Sequence, residues 1–334
     1  MDLYLISSDL TGLPLWSAVF IGSLITLIIA SDFFIKASER IGIALGIPAF
    51  IVGVTMIAIG TSLPELITSI VAVTSGLETS VIVPGNVIGS NITNTGLVLG
   101  IVAIVAGRIK LEFDVMRVDG PMLVGATFLI YLCLKDGYFS VFEGFLCLAG
   151  MDLYLVYVLT LGRKGGEPSD AVDLPAEGRM SKISWKEPII LLLSAAVIYF
   201  SALYNVKSIN NLGNILQVGK EFIALTAVAL GTSLPELIGS IVAIRTGNVE
   251  MAVGNVIGSN LVNIFAVMGI PRLFGNIQVA DSLLSVGLPS LIVLTLLLMY
   301  ILHDKVINRW EGWILLLFYV AILGSLIGLQ MSPS

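Results

Sequence analysis

Charge is what this sequence has least of. Of its 334 residues only 12% are Asp, Glu, Lys or Arg, about half the share of roughly 25% found in soluble globular domains. A surface solvated on all sides by water is therefore excluded. Histidine occurs once and cysteine twice, which leaves no disulfide framework and no Cys/His cluster for zinc or copper. Cys133 and Cys147 both fall in apolar runs, where cysteine behaves as a small hydrophobe. His303 sits beside Asp304 and Lys305 in a loop, and neither HExxH nor GxSxG occurs. Hydrolytic chemistry has no evident base, so the chain reads as a non-enzyme without a cofactor. The net charge of −6 suggests no nucleic-acid partner. The N-terminus, MDLYLISSDLTGLPLW, lacks the basic stretch of a cleavable signal, and the first apolar run is expected to stay and act as its own insertion signal.

What the sequence has in excess is hydrophobic residues, 57% of the chain, in runs too continuous for the alternation of a membrane barrel. At about 20 apolar residues per crossing, ten spans are expected: Leu15 to Phe34, Phe50 to Ser75, Val81 to Gly107, Met122 to Leu134, Phe139 to Leu161, Pro188 to Tyr204, Phe222 to Ile244, Met251 to Gly269, Leu283 to Leu302 and Trp313 to Gln330. The fold class is an all-α polytopic membrane protein, with the lipid bilayer as partner and no obligate protein partner evident. With the N-terminus outside, four of the 17 Lys and Arg fall in outer loops (Lys135, Lys207, Lys220 and Arg272) and the other thirteen in inner ones. The positive-inside rule thus predicts a cell-membrane protein with both termini outside.

Two polar motifs interrupt the apolar runs, and each occurs twice. GTSLPELITSIVAV at 60–73 returns as GTSLPELIGSIVAI at 231–244. GNVIGSN at 85–91 returns unchanged at 254–260, each copy followed three residues on by another asparagine, Asn94 or Asn263. The offsets are 171 residues for Glu65 to Glu236 and 169 for Asn86 to Asn255. The chain is therefore read as two five-helix repeats, 1–161 and 188–334, in one integrated membrane domain. Residues 162–187, with Gly, Pro and mixed charges, form a flexible cytoplasmic linker. Five is odd, so the second copy enters the membrane from the opposite side. That inverted-topology repeat is the plan of many secondary transporters, whose ion site lies near the midplane between the halves.

Pro64 and Pro235 have no N–H and crowd the carbonyls of Gly60 and Gly231, so helices 2 and 7 are expected to be broken there. A broken helix at membrane depth is tolerated where its freed backbone lines a cavity, and carbonyls around Ala58 and Ala229 then point their negative ends into the gap. Thr61, Ser62 and Glu65, repeated as Thr232, Ser233 and Glu236, add hydroxyls and a carboxylate. These hard oxygen ligands suit Na⁺ or Ca²⁺. On spans 3 and 8, Asn86, Ser90 and Asn94, and their copies Asn255, Ser259 and Asn263, recur at i, i+4 on one helical face. Gly85/Gly89 and Gly254/Gly258 let another helix approach closely. The expected product is a dry cage of oxygens around two carboxylates. An ionised group at the bilayer centre costs at least about 2.5 to 3.5 kcal/mol, so cations or protons must neutralise the pair. One Ca²⁺ or two Na⁺ balance it equally, which makes the two ions compete.

A lone proline kink, a lone GxxxG or a serine bonded to its own helix is ordinary packing. The whole set in two copies, each with an intramembrane glutamate, points to function. Asp152 in span 5 belongs to no repeated motif and is expected either to make a local hydrogen bond or to mark a misplaced boundary. Asp32 and Glu39 are expected at the membrane interface with Lys36 and Arg40. A cation channel would want a ring of carbonyls or charges around an open pore, which inverted repeats with two central carboxylates fit less well than alternating access.

At these residues the sequence resembles the sodium/calcium exchangers of the cation/Ca²⁺ antiporter superfamily, especially the prokaryotic branch. The paired GTSLPE and GNVIGSN segments look like that family's two alpha-repeats. The resemblance implies that Glu65 and Glu236 bind a central Ca²⁺ with Thr61 and Thr232. It implies that Na⁺ uses the same carboxylates and threonines with Ala58, Ser62 and Ser90 in one half and Ala229, Ser233 and Ser259 in the other, Asn94 and Asn263 completing the middle. It further implies alternating access by sliding of spans 1 and 6 across the other eight. Some K⁺-dependent relatives have aspartate where this chain has Asn263, so the resemblance favours K⁺-independent, electrogenic Na⁺/Ca²⁺ antiport. An H⁺/Ca²⁺ antiporter of the same superfamily stays open as the alternative.

Overall fold

Runs of Leu, Ile, Val and Ala form helices here because a helix satisfies every backbone group within its own segment, as an apolar environment requires. The computed structural model describes residues 12–44, 61–111, 119–164, 185–245 and 249–331. In chain order α1 spans Leu13–Ala44, α2 Leu63–Thr74, α3 residues 82–106, α4 Asp119–Leu134, α5 Val141–Lys164, α6 Lys186–Leu216, α7 Lys220–Arg245, α8 residues 249–272, α9 Leu283–Leu302 and α10 Arg309–Met331. Seven of these, α1, α3 and α6 to α10, are long and apolar enough to cross a membrane.

Two helices outrun the expected spans. α1 continues past Phe34 to Ala44, and α6 past Tyr204 to Leu216. In α1 the extension is carried by Lys36, whose ammonium lies 2.8 Å from Asp32 one turn earlier, the i,i+4 spacing that supports an exposed helix. Arg40 reaches Glu187 at the start of α6, 3.0 Å away, and so pairs across helices. α5 reaches Lys164 and α6 starts at Lys186, so helix takes both ends of the expected linker. Residues 165–184 of that linker lie outside the described residues.

α3 and α8 form the centre, with 83% of each buried against 17% for α1 and 28% for α10. Glycines let the neighbours close in. A Cβ on Gly89 would stand 2.5 Å from the Leu225 carbonyl oxygen of α7, and one on Gly85 2.9 Å from that of Glu221. Gly312 of α10 meets Gly100 of α3 in the same way, its Cβ 2.7 Å from the Gly100 carbonyl; in the other half a Cβ on Gly269 of α8 would lie 3.1 Å from the Gly144 carbonyl of α5. Among the described residues nothing lies within 4 Å of a Cβ at Gly254. Where α3 and α8 meet, the Asn91 amide donates to the Asn260 carbonyl (3.1 Å) and the Asn260 amide to the Thr95 hydroxyl (2.9 Å).

Two short antiparallel ribbons tie the halves together. β1, Arg108–Lys110, pairs with β4, Val306–Asn308; β2, Tyr138–Phe139, pairs with β3, Ile277–Gln278. β1 and β2 flank α4, while β3 and β4 flank α9, so the ribbons sit at opposite ends of those helices. Midway between them the Thr127 and Thr295 hydroxyls meet at 3.3 Å. Arg272, only 7% exposed at the end of α8, holds the second ribbon through the Phe139 carbonyl (2.7 Å), the Gly275 carbonyl (2.9 Å) and the Tyr138 hydroxyl (2.9 Å). A cation there also suits the negative end of the helix.

The close approach at Gly89 is testable. Gly89→Ala should destabilise the detergent-solubilised protein by roughly 1 to 3 kcal/mol, since a methyl group is forced against rigid backbone. Gly125→Ala on α4, where a Cβ meets nothing within 4 Å, should leave the thermal midpoint unchanged or slightly raised. Equal midpoints for the two variants would contradict the packing.

Candidate functional site

Both Ser-Leu-Pro-Glu turns adopt the same local shape. Ser62 has φ −87° and ψ 7°, and Ser233 has φ −82° and ψ 2°. Each serine carbonyl starts the next helical segment by accepting the amide four residues on, from Leu66 at 3.0 Å or Leu237 at 3.1 Å. Proline fits the first turn of a helix, where an amide would have no partner. The interruption of α7 is a single residue, shorter than the expected break. The Ala229 carbonyl does not open into a gap: it accepts the Ser233 amide at 3.1 Å, with the Thr232 hydroxyl 3.5 Å away. Ala58 and Gly60 lie outside the described residues.

These turns place Glu65 and Glu236 in the first turn of the following segments, and both are 0% exposed. Each is fixed by the asparagine of its own half. The Asn86 amide donates to the Glu65 backbone carbonyl (3.3 Å) and the Ser69 hydroxyl (3.4 Å). The Asn255 amide does the same for the Glu236 carbonyl (3.4 Å) and the Ser240 hydroxyl (3.3 Å). The hydroxyls then cross between halves: Ser90 of α3 lies 3.5 Å from Thr232, and Thr61 lies 3.2 Å from Ser259 of α8. Ser90 also donates to Glu65 Oε1 at 3.5 Å.

At the two turns and the asparagines beyond GNVIGSN, the buried polar atoms without a hydrogen bond include the Ser62 and Ser233 hydroxyls, Glu65 Oε2, both Glu236 carboxylate oxygens, and both side-chain polar atoms of Asn94 and of Asn263; others lie away from the site, as at Ser31, Asn205 and Asn210 on α1 and α6. Buried groups of this kind are costly unless satisfied. Asn94 and Asn263 sit in matching π-helical turns, Thr93–Val98 on α3 and Asn263–Val267 on α8, a local widening that recurs at functional sites. No ion pair among the described residues involves either glutamate, so two like charges lack a protein counter-ion. The donors are all oxygen, apart from the two amide nitrogens. Among the described residues no three His, Cys, Asp or Glu come together, so hydroxyl and amide oxygens have to complete any shell. That donor set fits a hard cation such as Na⁺ or Ca²⁺.

The structure brings Thr61 to Ser259, and Ser90 to Thr232 and Glu65, while Ser62, Asn94, Ser233, Glu236 and Asn263 are buried. Sequence reasoning overlooked Ser69 and Ser240, which brace the asparagines, and the Asn91–Asn260 link between α3 and α8. All four belong to the duplicated motifs, and that duplication was the signal. His303 is exposed at the end of α9, and Cys133 and Cys147 are buried free thiols on α4 and α5. Asp152 departs from expectation. It is exposed at the middle of α5, and no hydrogen bond of its side chain is found among the described residues.

Comparison with known proteins agrees with this geometry. The family model described as sodium/calcium exchanger protein matches residues 15–162 and 186–328. The chain is 34% identical over 335 residues to sodium/calcium exchanger MaX1 of Methanosarcina acetivorans, covering 90% of this chain and 95% of that protein. It is 32% identical over 267 residues to inner membrane protein YrbG of Escherichia coli, covering 77% and 79%. A solved structure of the sodium-calcium exchanger NCX_Mj soaked with Na⁺ and Sr²⁺ matches with a TM-score of 0.63 at 29% identity, over 93% of this chain and 98% of that one. The helical architecture is that of an exchanger, a multi-pass membrane transporter rather than an enzyme, and with archaeal and bacterial relatives along most of its length the chain belongs to the sodium/calcium exchanger family.

Proposed function

We propose that the protein is a secondary antiporter that exchanges Na⁺ for Ca²⁺ by alternating access. The observation that carries this reading is the pair of fully buried glutamates, one from each half, near hydroxyls of both halves and with no basic partner among the described residues. In this reading Ca²⁺ is held by Glu65 and Glu236 with Thr61 and Thr232. Na⁺ ions use the same four residues with Ala58, Ser62 and Ser90 on one side and Ala229, Ser233 and Ser259 on the other, around Asn94 and Asn263. A cage with two carboxylates is neutralised by one divalent or two monovalent ions but not comfortably by both sets together. Competition for the same oxygens couples the fluxes.

The remaining helices, α2, α4 and α5, complete ten spans in two inverted repeats, 1–161 and 188–334, joined by 162–187. The crossed hydroxyl pairs and the two ribbons, each joining a loop of one half to a loop of the other, support that symmetry. α1 and α6 pack along each other, with the Asn205 amide on the Ser23 hydroxyl at 3.3 Å and the Arg40–Glu187 pair at one end. They are the pair suited to slide as a unit. Leu24 of α1 rests where a side chain on Gly231 would be, directly against the turn that positions Glu236. The distribution of Lys and Arg supports a cell-membrane orientation with both termini outside, and an amide at Asn263 supports K⁺ independence. Exchange carrying more Na⁺ charge than Ca²⁺ charge gains about 2.3 kcal/mol per net charge per 100 mV, which favours Ca²⁺ extrusion from a negative interior.

Proteoliposomes loaded with Na⁺ should take up ⁴⁵Ca²⁺ with equal pH on both sides, and choline-loaded ones should not. An inside-positive potential set with K⁺ and valinomycin should speed that uptake. Uptake driven only by a pH gradient would replace this reading with proton antiport. Glu65→Gln and Glu236→Gln should each cut Na⁺-dependent uptake at least about 100-fold, as expected from losing roughly 3 kcal/mol or more of buried charge pairing. Their elution volume and helical content should match the parent protein; near-normal transport by either folded variant would remove the glutamates from the site.

A further inference from the structure

Asp152 lies where a carboxylate is hardest to explain. α5 runs from Val141 to Lys164, which puts Asp152 about 16 to 18 Å from either end of the helix at 1.5 Å per residue; in the ten-span reading proposed above, that is the depth of a bilayer midplane. Leu153 and Val156 beside it are 63% and 61% exposed, an apolar surface suited to lipid. Asp152 itself turns into a cleft of ≈ 370 Å³ between α2, α5 and α8, walled by apolar side chains such as Leu148, Met151 and Val262. The other polar group on that wall is Ser62, 1% exposed with its hydroxyl unpartnered and three residues before Glu65. The cleft therefore joins an intramembrane carboxylate to the edge of the glutamate cage. Aligning Gly144 with Gly312, the repeat puts Val320 opposite Asp152 on α10. The carboxylate exists in one half only.

We propose that Asp152 and Ser62 form a cation site in this cleft, a lateral port through which Na⁺ enters and leaves the Ser62 side of the cage. The charge balance selects a monovalent ion: one carboxylate and one hydroxyl neutralise Na⁺, whereas Ca²⁺ requires six to eight oxygens and more negative charge. An ionisable group at this depth that lines a cavity is the usual mark of an ion pathway, and a single negative charge in a low-dielectric cleft concentrates cations near it. The identity of the ion rests on the antiport reading above.

The test is the Na⁺ dependence of ⁴⁵Ca²⁺ uptake in proteoliposomes for the parent protein, Asp152→Asn, Asp152→Glu and the lipid-facing control Leu153→Asn. Asp152→Asn should raise half-saturating Na⁺ about tenfold, the scale by which a charged cleft enriches counter-ions. Asp152→Glu should restore it, and Leu153→Asn should leave it unchanged. Ca²⁺–Ca²⁺ exchange without Na⁺ should be unaffected in all of them. In a second measurement Asp152→Cys should react with a membrane-impermeant cationic thiol reagent, because the port admits water and cations. Parental Na⁺ dependence in Asp152→Asn, or an unreactive Asp152→Cys, would overturn the port while leaving the antiporter standing. A parent protein whose uptake ignores Na⁺ would overturn both.

Discussion

Two fully buried carboxylates, one in each copy of the repeated motif and neither paired with a basic residue among the described residues, set the terms for this molecule. Taking one such charge out of water is costly, and placing a second beside it compounds the cost. The pair is tolerable only if something positive shares the space. Everything near it serves that condition: hydroxyls and amides point inward with no protein partner, while the backbone behind each glutamate is tied down by an asparagine. The cage is rigid in its frame and unsatisfied at its centre, the state in which binding a cation gains most.

The frame depends on helices approaching more closely than side chains allow. Gly89 lets α3 touch the backbone of α7, and Gly100 with Gly312, and Gly269 with Gly144, repeat the device at the flanks. Apolar burial adds little between helices when the surroundings are lipid, so tight packing and interhelical hydrogen bonds carry association instead. Asn91, Asn260 and Thr95 supply those bonds where α3 and α8 meet, and Thr127 and Thr295 supply one between α4 and α9. Against this centre α1 and α6 are largely exposed and held mainly to each other.

Much of this could be read before any coordinates. Low charge and long apolar runs dictated membrane helices, and two copies of a glutamate-proline motif dictated a paired site, because backbone and charge requirements in lipid leave few alternatives. The lengths of α1 and α6 were underestimated, since an i,i+4 ion pair such as Asp32–Lys36 and interfacial polar residues prolong a helix beyond its hydrophobic stretch. The break in α7 was overestimated. Proline removes one amide, but the neighbouring Ala229 carbonyl kept its bond to Ser233.

By itself, the sequence determined that the chain is built of apolar helices and which oxygen-bearing residues recur in two copies, because composition, proline position and exact repetition are local properties of the chain. Only the tertiary structure decided how the halves interlock: that Thr61 faces Ser259 while Ser90 faces Thr232, that π turns carry Asn94 and Asn263, and that Asp152 and Ser62 line one cleft. Those relations depend on how α2, α3, α5, α7 and α8 cross. Crossing is set by the summed fit of many side chains and close glycine contacts far apart in the chain, which no short motif encodes.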